Sequence, residues 1–521
     1  MSPANVWQAV RRTLSEPARD DSMPRGEGGR GRASLRVDAA ALALIVLVAL
    51  AIRLAFAFRA PVFLLHDSAT YYVPAHDLLN GLGFDLSIRR PPIYPAFLVA
   101  VIATLGEDLL AVALAQHLLG ALSAALVYLL GALTWGRLPG LLAALLTALD
   151  GTLLVAEHYV MPEALLTALL LLTALALTLA LRRGSRPLFA LAGLLLGLAI
   201  LCKPVAQALL PVLPLVVLAS YRPWRRAWLP CALVLAGTAA ALLPWMARNW
   251  AVHGSLTTAG ALGQTLVART AKHDTGFRWY ETAAADRYGD PRETEARRLV
   301  QRGIGQRLSD GTIYRRVQQQ LGLSDVEVNG FMRDLSLQVI GAQPGQYLQG
   351  TARMTWQLLV GDVERLRTDW KTQNARLSRE EWEDRIEHLL AKPSISHENE
   401  FGRASALVAL YQPGALGPTL PVLALVGLLL AATTPALRPA LLPGLAALLL
   451  VLTAAALDGP VARYRYPADP FITLTAIGGL VGIISLTASS IGRYAEARVA
   501  RTPVEGNRRG AIQRALSGRA R

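Results

Sequence analysis

A polar stretch between two apolar segments carries the side chains best suited to chemistry in this chain. It runs from His66 to Tyr94 and reads HDSATYYVPAHDLLNGLGFDLSIRRPPIY. Its first acid is Asp67, and the paired cations Arg89 and Arg90 precede two prolines near its end. A carboxylate can act as a general base, and a guanidinium group binds phosphate oxygens through paired donors. We therefore expect the chemistry of this protein in this loop.

The elements that must position this loop are apolar blocks. The chain has 521 residues, of which 53% are hydrophobic, and a formal net charge of +15. The blocks are about 20 residues long, which is the length of a helix that spans a bilayer. Basic residues cluster in the two tails and in the short connectors between blocks, so the charge indicates membrane topology and not nucleic-acid binding. The two cysteines, Cys202 and Cys231, provide no disulfide framework.

The apolar blocks predict an all-α polytopic membrane protein with about ten transmembrane helices. Because cytoplasmic connectors are enriched in Lys and Arg, the basic clusters place both termini in the cytoplasm of a plasma-membrane protein. The segment 187–220 lies between two basic flanks, so charge parity predicts a hairpin that turns on the outer side at Lys203 and Pro204. Residues 93–105 are too short to span and predict an interfacial piece. The predicted spans are about 37–58, 109–134, 138–156, 164–181, two within 187–220, 227–247, 416–432, 439–457 and 468–488.

These blocks divide the chain into regions with different predicted environments. In the long outer region, apolar residues recur at helical spacing in 292–308, 326–340, 344–360 and 380–390. The regions are a disordered basic cytoplasmic tail (1–36), an N-terminal transmembrane catalytic module (37–253) that includes the outer loop 60–92 with its juxtamembrane helices, a mostly helical outer domain (254–406), C-terminal transmembrane helices (407–490) and a basic cytoplasmic tail (491–521).

Four motifs in this order resemble a known family. They are RRPPIYPAFL after the polar loop, MPEALL, a Lys-Pro pair after the fifth helix, and PWMARNW before the outer domain. Over about residues 38–255 the chain resembles the GT-C glycosyltransferases, in particular the family 39-like group of protein O-mannosyltransferases and the lipid A aminoarabinose transferase. The resemblance implies a GT-C fold and transfer of a sugar from a polyprenyl-phosphate carrier to a glycan, lipid or protein acceptor at the outer face of the membrane.

The resemblance also implies roles for two acids. Asp67 occupies the position of the family's catalytic base, and Glu163 in MPEALL occupies a second acidic position. The leaving phosphate is a weak base, so an inverting displacement needs no second acid to protonate it. The family often has two adjacent acids at this position, whereas here Ser68 follows Asp67. The resemblance therefore assigns no metal ligand and leaves open whether a divalent metal is needed.

Cations on the outer side are the predicted ligands of the carrier's phosphate. The positive-inside bias disfavours cations on this face, so each one there is informative, although anchoring to lipid headgroups would also explain it. Lys203, Arg463 and Arg465 are the preferred ligands, with Arg89, Arg90 and Arg248 as further candidates.

Several alternatives stay open from the sequence. Asp67 could instead cap the helix that starts near Ser68, and Glu163 could extend into water from a helix end. Glu157 and His158 are weaker candidates for chemistry, while Gln116 and His117 predict hydrogen bonds between membrane helices. A lipid or glycan transporter, a polysaccharide ligase of similar layout and a non-catalytic scaffold are the alternative functions.

Overall fold

The computed structural model describes residues 28–64, 66–84, 87–279, 291–361 and 401–501. Within these ranges the secondary structure is helical apart from two isolated β-bridges, one between Phe63 and Tyr159 and one between Asp150 and Tyr411. Nineteen α-helices follow one another along the described chain, and the predicted all-α class is confirmed.

Ten helices form the N-terminal half of the membrane domain. A short 3-10 turn, Pro204–Leu209, separates α8 from α9, and a second one, Trp224–Ala227, leads into α10. The helices are α1 (Gly28–Ala57), α2 (His66–Leu79), α3 (Ile93–Leu105), α4 (Leu109–Thr134), α5 (Arg137–Leu149), α6 (Gly151–His158), α7 (Glu163–Arg183), α8 (Arg186–Cys202), α9 (Val212–Ser220) and α10 (Trp228–His253).

In its second half the described chain has six helices in the region predicted to be the outer domain, followed by three apolar helices. The six are α11 (Leu262–Val267), continued by a π-helical turn at Ala268–Lys272, then α12 (Pro291–Gly305), α13 (Asp310–Leu321), α14 (Asp325–Ala342), α15 (Pro344–Val360) and α16 (Phe401–Val408). The last three are α17 (Thr419–Thr433), α18 (Leu441–Leu457) and α19 (Asp469–Arg501).

The predicted polytopic membrane architecture is confirmed by the lengths and composition of the helices. Within the described ranges, six helical segments are long and apolar enough to cross a bilayer. The other four predicted spans correspond to the shorter apolar helices Arg137–Leu149, Arg186–Cys202, Pro204–Ser220 and Thr419–Thr433. The six long segments are Leu35–Ala57, Leu109–Thr134, Glu163–Arg183, Trp224–His253, Pro435–Leu457 and Ala462–Ala488.

The structure differs from the sequence prediction at several boundaries. Helix α1 begins at Gly28, so residues 28–36 of the predicted disordered tail are helical, because a formed helix extends at little cost. The predicted span 138–156 is divided at Asp150, whose carboxylate accepts hydrogen bonds from the first backbone amides of α6. Helix α13 was not predicted, because it buries only one short apolar face. The tails at 1–27 and 502–521 and the predicted helix 380–390 lie outside the described residues.

Small residues let the membrane helices pack closely. A Cβ atom at Gly193 of α8 would lie 1.9 Å from the carbonyl oxygen of Val234 in α10, and one at Gly237 would lie 2.1 Å from that of Ala190. Such close backbone approach is typical of helix pairs in membranes, where dispersion contacts drive association. Adding a methyl group at either glycine would separate the two helices.

The region predicted to be the outer domain is joined to the membrane helices beside the end of α18. The Arg269 guanidinium is fully buried, donates from Nε to the carbonyl oxygen of Ala455 at 2.8 Å and forms an ion pair with Asp274 at 3.0 Å. The Tyr347 hydroxyl donates to the carbonyl oxygen of Ala456 at 3.1 Å. These contacts fix the helix end from which the loop 458–468 leaves.

Candidate functional site

Two arginines from distant parts of the chain hold Asp67. This residue lies in the first turn of α2, where a carboxylate interacts favourably with the helix dipole. Its Oδ1 accepts a hydrogen bond from Arg90 Nη2 at 2.9 Å, and its Oδ2 accepts one from Arg463 Nη1 at 2.6 Å. Arg90 precedes α3, and Arg463 lies in the 3-10 turn Ala462–Tyr464 between α18 and α19.

The two arginines determine the protonation of Asp67. Burial alone would raise the pKa of this carboxyl group, but the charges and hydrogen bonds of Arg463 and Arg90 outweigh that effect and hold the pKa far below its usual range. Asp67 is therefore ionised in this arrangement. It is also a weak base as long as both guanidinium groups remain on it, because basicity falls with pKa.

Two tyrosines order the cations around Asp67. The Arg90 guanidinium lies 4.6 Å from the centre of the Tyr71 ring and donates to the Tyr71 hydroxyl at 3.1 Å. The Tyr464 ring is close to both Arg463 and Lys203. Its centre lies 5.3 Å from the guanidinium carbon of Arg463 and 4.6 Å from the amine nitrogen of Lys203. Cations over aromatic faces are stabilised by the ring quadrupole, so these rings keep three cations close together without neutralising them.

A second acid–base pair adjoins this cluster. Lys203, at the end of α8, donates from Nζ to Glu163 Oε1 at 2.6 Å. Glu163 is the first residue of α7 and is buried, and in the described part of the chain its Oε2 has no hydrogen-bond partner. Burial lowers the pKa of Lys203, while the Glu163 carboxylate acts in the opposite direction. Lys203 uses one of its three donors here, so its remaining donors are available to a ligand.

The cluster adjoins a cavity of about 620 Å³, which Arg90 and Lys203 line while Asp67, Arg463 and Glu163 lie behind its lining. Four cations line this cavity against one acid, Asp458, which accepts a hydrogen bond from the Tyr464 hydroxyl. Burial raises the pKa of Asp458 and so disfavours its negative charge. The cavity is therefore electropositive and suits an anionic ligand. The cations are Arg89, Arg90, Lys203 and Arg333.

The structure brings together only part of the predicted site. Arg89 lines the same cavity, where its guanidinium donates to Gln264 and lies 4.5 Å from the Tyr314 ring centre. Arg465 donates from Nε to Asp469 at 2.7 Å, is buried and does not line the cavity. Arg248 lies over Trp245 and donates to Asn249, also away from the cavity lining.

Three residues of the cluster were not singled out from the sequence. Tyr71 lies four positions after Asp67, so helical spacing places both on one face of α2 and could have indicated it. Tyr464 immediately follows Arg463, which is the only local sign of its role. Asp458 is an acid at the C-terminal end of an apolar helix, a position at which an ionisable residue is informative.

The donor atoms around Asp67 do not favour a metal ion. Among the described residues, no group of three or more His, Cys, Asp or Glu side chains is arranged to hold one. Both Asp67 oxygens accept hydrogen bonds from arginines, an arrangement that suits an anion and not a cation. A divalent metal stays an untested prediction, and the mechanism below uses the chain's own residues.

Comparison with solved structures finds membrane enzymes of low sequence identity. The archaeal oligosaccharyltransferase AglB from Archaeoglobus fulgidus, solved with an inhibitory peptide and a dolichol-phosphate, is 14% identical with a TM-score of 0.46; the match covers 89% of this chain and 52% of AglB. ArnT from Cupriavidus metallidurans, bound to undecaprenyl phosphate, is 16% identical with a TM-score of 0.37, over 84% of this chain and 77% of ArnT. These TM-scores are too low to support an inference about activity, and the chain spans about half the length of AglB.

Comparison with family models finds a match over part of the chain. A search of curated proteins finds no significant match. The family model described as dolichyl-phosphate-mannose-protein mannosyltransferase matches residues 89–247, a range that contains Arg90, Glu163 and Lys203. Over this range the chain is therefore similar to membrane glycosyltransferases of the GT-C superfamily, as the sequence motifs predicted.

Proposed function

We propose that this protein transfers a sugar from a polyprenyl-phosphate donor to an acceptor hydroxyl at the outer face of the membrane. The observation that carries the proposal is the convergence of Arg90, Arg463 and Lys203 on two carboxylates beside the large electropositive cavity. Cations gathered at the ends of membrane helices suit the phosphate of a lipid carrier, and the cavity offers room for a sugar and an acceptor.

The reaction needs one base and a stabilised leaving group. The acceptor oxygen attacks the anomeric carbon and loses its proton to Asp67, while the bond from that carbon to the phosphate oxygen breaks with its electron pair. The new glycosidic bond has the inverted configuration. Arg90, Arg463 and Lys203 stabilise the charge that develops on the leaving phosphate, so no protonation of the phosphate is required.

The contacts of Asp67 imply that the donor activates its own base. With Arg90 and Arg463 on its oxygens, the Asp67 carboxylate has too low a pKa to take a proton readily. The phosphodiester of the donor carries one negative charge, like a carboxylate, and its two free oxygens can accept hydrogen bonds from both guanidinium groups. The charge that develops on the leaving phosphate as its bond to the sugar breaks strengthens this competition for the arginines. When the arginines move to the phosphate, the pKa of Asp67 rises and the carboxylate becomes an effective base.

The contacts of Glu163 support a positioning role in place of direct proton transfer. Its Oε1 holds Lys203 Nζ at 2.6 Å, which fixes the amine against the Tyr464 ring. The sequence predicted Glu163 as a second catalytic acid, and it remains the alternative base. Arg465 and Arg248 stay predictions as phosphate ligands, because Arg465 pairs with Asp469 and Arg248 contacts Asn249, whereas Arg463 pairs with Asp67.

Donor hydrolysis tests the proposal before the acceptor is known. Purified protein in detergent or bilayers is incubated with a polyprenyl-phosphate sugar, and the release of free polyprenyl phosphate is measured with and without candidate acceptors. Water can replace the acceptor slowly, so the wild type should consume the donor while Asp67→Asn should not. A transporter would move the donor across vesicles without consuming it, and a ligase would require an oligosaccharide-linked donor.

A further inference from the structure

A chain of charged and polar side chains lies fully buried among the first seven helices. The Arg53 guanidinium of α1 donates to both oxygens of Glu157 in α6, each at 2.8 Å, and from Nη1 to the carbonyl oxygen of Ala148 at 3.1 Å. His117 Nδ1 of α4 lies 3.0 Å from Glu157 Oε2. These three side chains are at most 4% exposed, and the catalytic contacts proposed above use none of them.

The chain continues through a second histidine to a backbone carbonyl. His117 Nε2 lies 3.1 Å from His158 Nδ1, and His158 Nε2 lies 3.1 Å from the carbonyl oxygen of Ala60. Every contact is within hydrogen-bond distance, and each needs one hydrogen between its two heavy atoms. The atoms at the two ends of this chain are the Glu157 carboxylate oxygen and the Ala60 carbonyl oxygen. Neither of them contributes a hydrogen when Glu157 is ionised.

The number of hydrogens does not match the number of contacts. Three contacts link Glu157, His117, His158 and Ala60, so three hydrogens are required. Two neutral imidazoles carry one N–H each and supply two. With only two hydrogens, one of the three contacts would bring two lone pairs together in a buried site. The free-energy cost would be comparable to that of a buried polar group without a hydrogen bond.

We propose that this cluster is a buried proton-binding site, in which Glu157, His117 and His158 together hold three protons at neutral pH. The third proton lies on His117 as an imidazolium, or on the Glu157 carboxyl facing it. Burial opposes an added charge, and the Glu157 carboxylate in direct contact offsets that cost. The cluster with Arg53 then carries a net charge of +1.

The positively charged cluster around Glu157 lies close to Glu163. A small cavity of about 10 Å³, close to the volume that one water molecule needs, is lined by both Glu157 and Glu163. A positive cluster across it favours the ionised state of Glu163, whose Oε2 lacks a partner among the described residues. The titratable and charged groups around the site are Arg53 from α1, Tyr94 from α3 through Gln116, His117 from α4, Glu163 from α7 with its partner Lys203, and Tyr466 on the small cavity.

One substitution removes the need for the third proton at the cost of one arginine contact. In Glu157→Gln an amide nitrogen in the place of Oε2 can donate to His117 Nδ1 while the amide oxygen accepts from Arg53 Nη2, so two neutral imidazoles satisfy the three contacts of the chain and only the hydrogen bond from Arg53 Nε is lost. The full chain, in bilayers and labelled in its histidines, is studied by nuclear magnetic resonance and infrared spectroscopy about one pH unit above the ordinary histidine pKa of roughly 6.5. Solvent-exposed histidines are then mostly neutral.

The wild type should show one buried imidazolium or one protonated carboxyl, and Glu157→Gln should lose it. Glu107→Gln, which changes a partly exposed acid outside the cluster, should keep the signal. Two neutral imidazoles with an ionised Glu157 in the wild type, or an unchanged signal in Glu157→Gln, would overturn the proposal. If Glu157→Gln does not fold, magnetisation transfer between the His117 and His158 rings in the wild type locates the proton, and a signal elsewhere refutes the assignment.

Discussion

Replacing Asp67 by Asn should change donor binding and turnover in opposite directions. Asn keeps the shape of the side chain but cannot take a proton, so turnover should fall by roughly 100- to 10,000-fold. Because Asp67 occupies Arg90 and Arg463 in the absence of a donor, the neutral amide, whose nitrogen cannot accept a hydrogen bond, should release one of them for the phosphate. We therefore expect tighter binding of a polyprenyl phosphate in the variant.

The size of this gain follows from the two hydrogen bonds. A hydrogen bond to a charged group contributes about 1.5–3 kcal/mol. The Asp67 side chain is 29% exposed, so solvent screens the pair and the lower end of that range applies. The Asn oxygen can still accept a hydrogen bond from one arginine, so the substitution frees the other arginine for the phosphate. The affinity for the carrier should then rise by about tenfold, since tenfold corresponds to about 1.4 kcal/mol.

Two measurements on the same preparation decide this prediction. Carrier affinity is measured by titration with a polyprenyl phosphate, and turnover by donor consumption. Asp77→Asn is the matched control, because Asp77 lies on the same helix and pairs with His76 at 3.7 Å, away from Arg90 and Arg463. Unchanged or weaker affinity in Asp67→Asn would refute the competition for the arginines. Turnover within about tenfold of the wild type, outside the range for a missing general base, would refute the role of Asp67 as the base.

Three further predictions concern the phosphate, the topology and the outer domain. Arg463→Gln should weaken carrier binding by roughly 10- to 150-fold, the equivalent of about 1.5–3 kcal/mol, measured by the same titration. Ser255→Cys should react with an impermeant thiol reagent in intact cells and Ser185→Cys should not, because charge parity predicts that the helix before Ser255 ends outside and that the basic connector with Ser185 is cytoplasmic. Arg269→Met should lower the free energy of unfolding by about 3 kcal/mol in denaturant titrations, the lower end of the range for breaking a buried pair, because the buried Asp274 carboxylate keeps Arg353 at 3.4 Å and the Gln346 amide as side-chain partners.

Each of these predictions has a control within the chain. Arg248→Gln removes a cation that contacts Asn249 and lies outside both the Asp67 cluster and the cavity lining, so its carrier affinity should match the wild type. The reverse labelling of the two cysteines would place the site on the cytoplasmic side. Arg333→Met breaks an exposed pair with Asp334 and should change stability by less than about 1 kcal/mol. A similar decrease in stability in Arg333→Met and Arg269→Met would show that burial does not decide the effect.

The sequence alone determined the membrane architecture and the types of residue in the site. Apolar length and basic connectors predicted the spans and the break at Lys203, where α8 ends. These features depend on local composition and on the cost of placing charge in a bilayer, so they can be recognised without knowing how the helices pack. The acids Asp67 and Glu163 lie at the ends of apolar blocks, and the family resemblance implied their roles.

Only the tertiary structure decided which cations reach the acids. Arg463 contacts Asp67 across 396 positions of sequence, whereas Arg465, two residues later, turns to Asp469. Consecutive 3-10 turns determine that choice, and no periodicity predicts their orientation. Arg53 and Glu157 likewise lie in separate apolar segments. Their pairing results from the packing of helices against one another, because a buried charge is stable only where the fold brings an opposite charge to it.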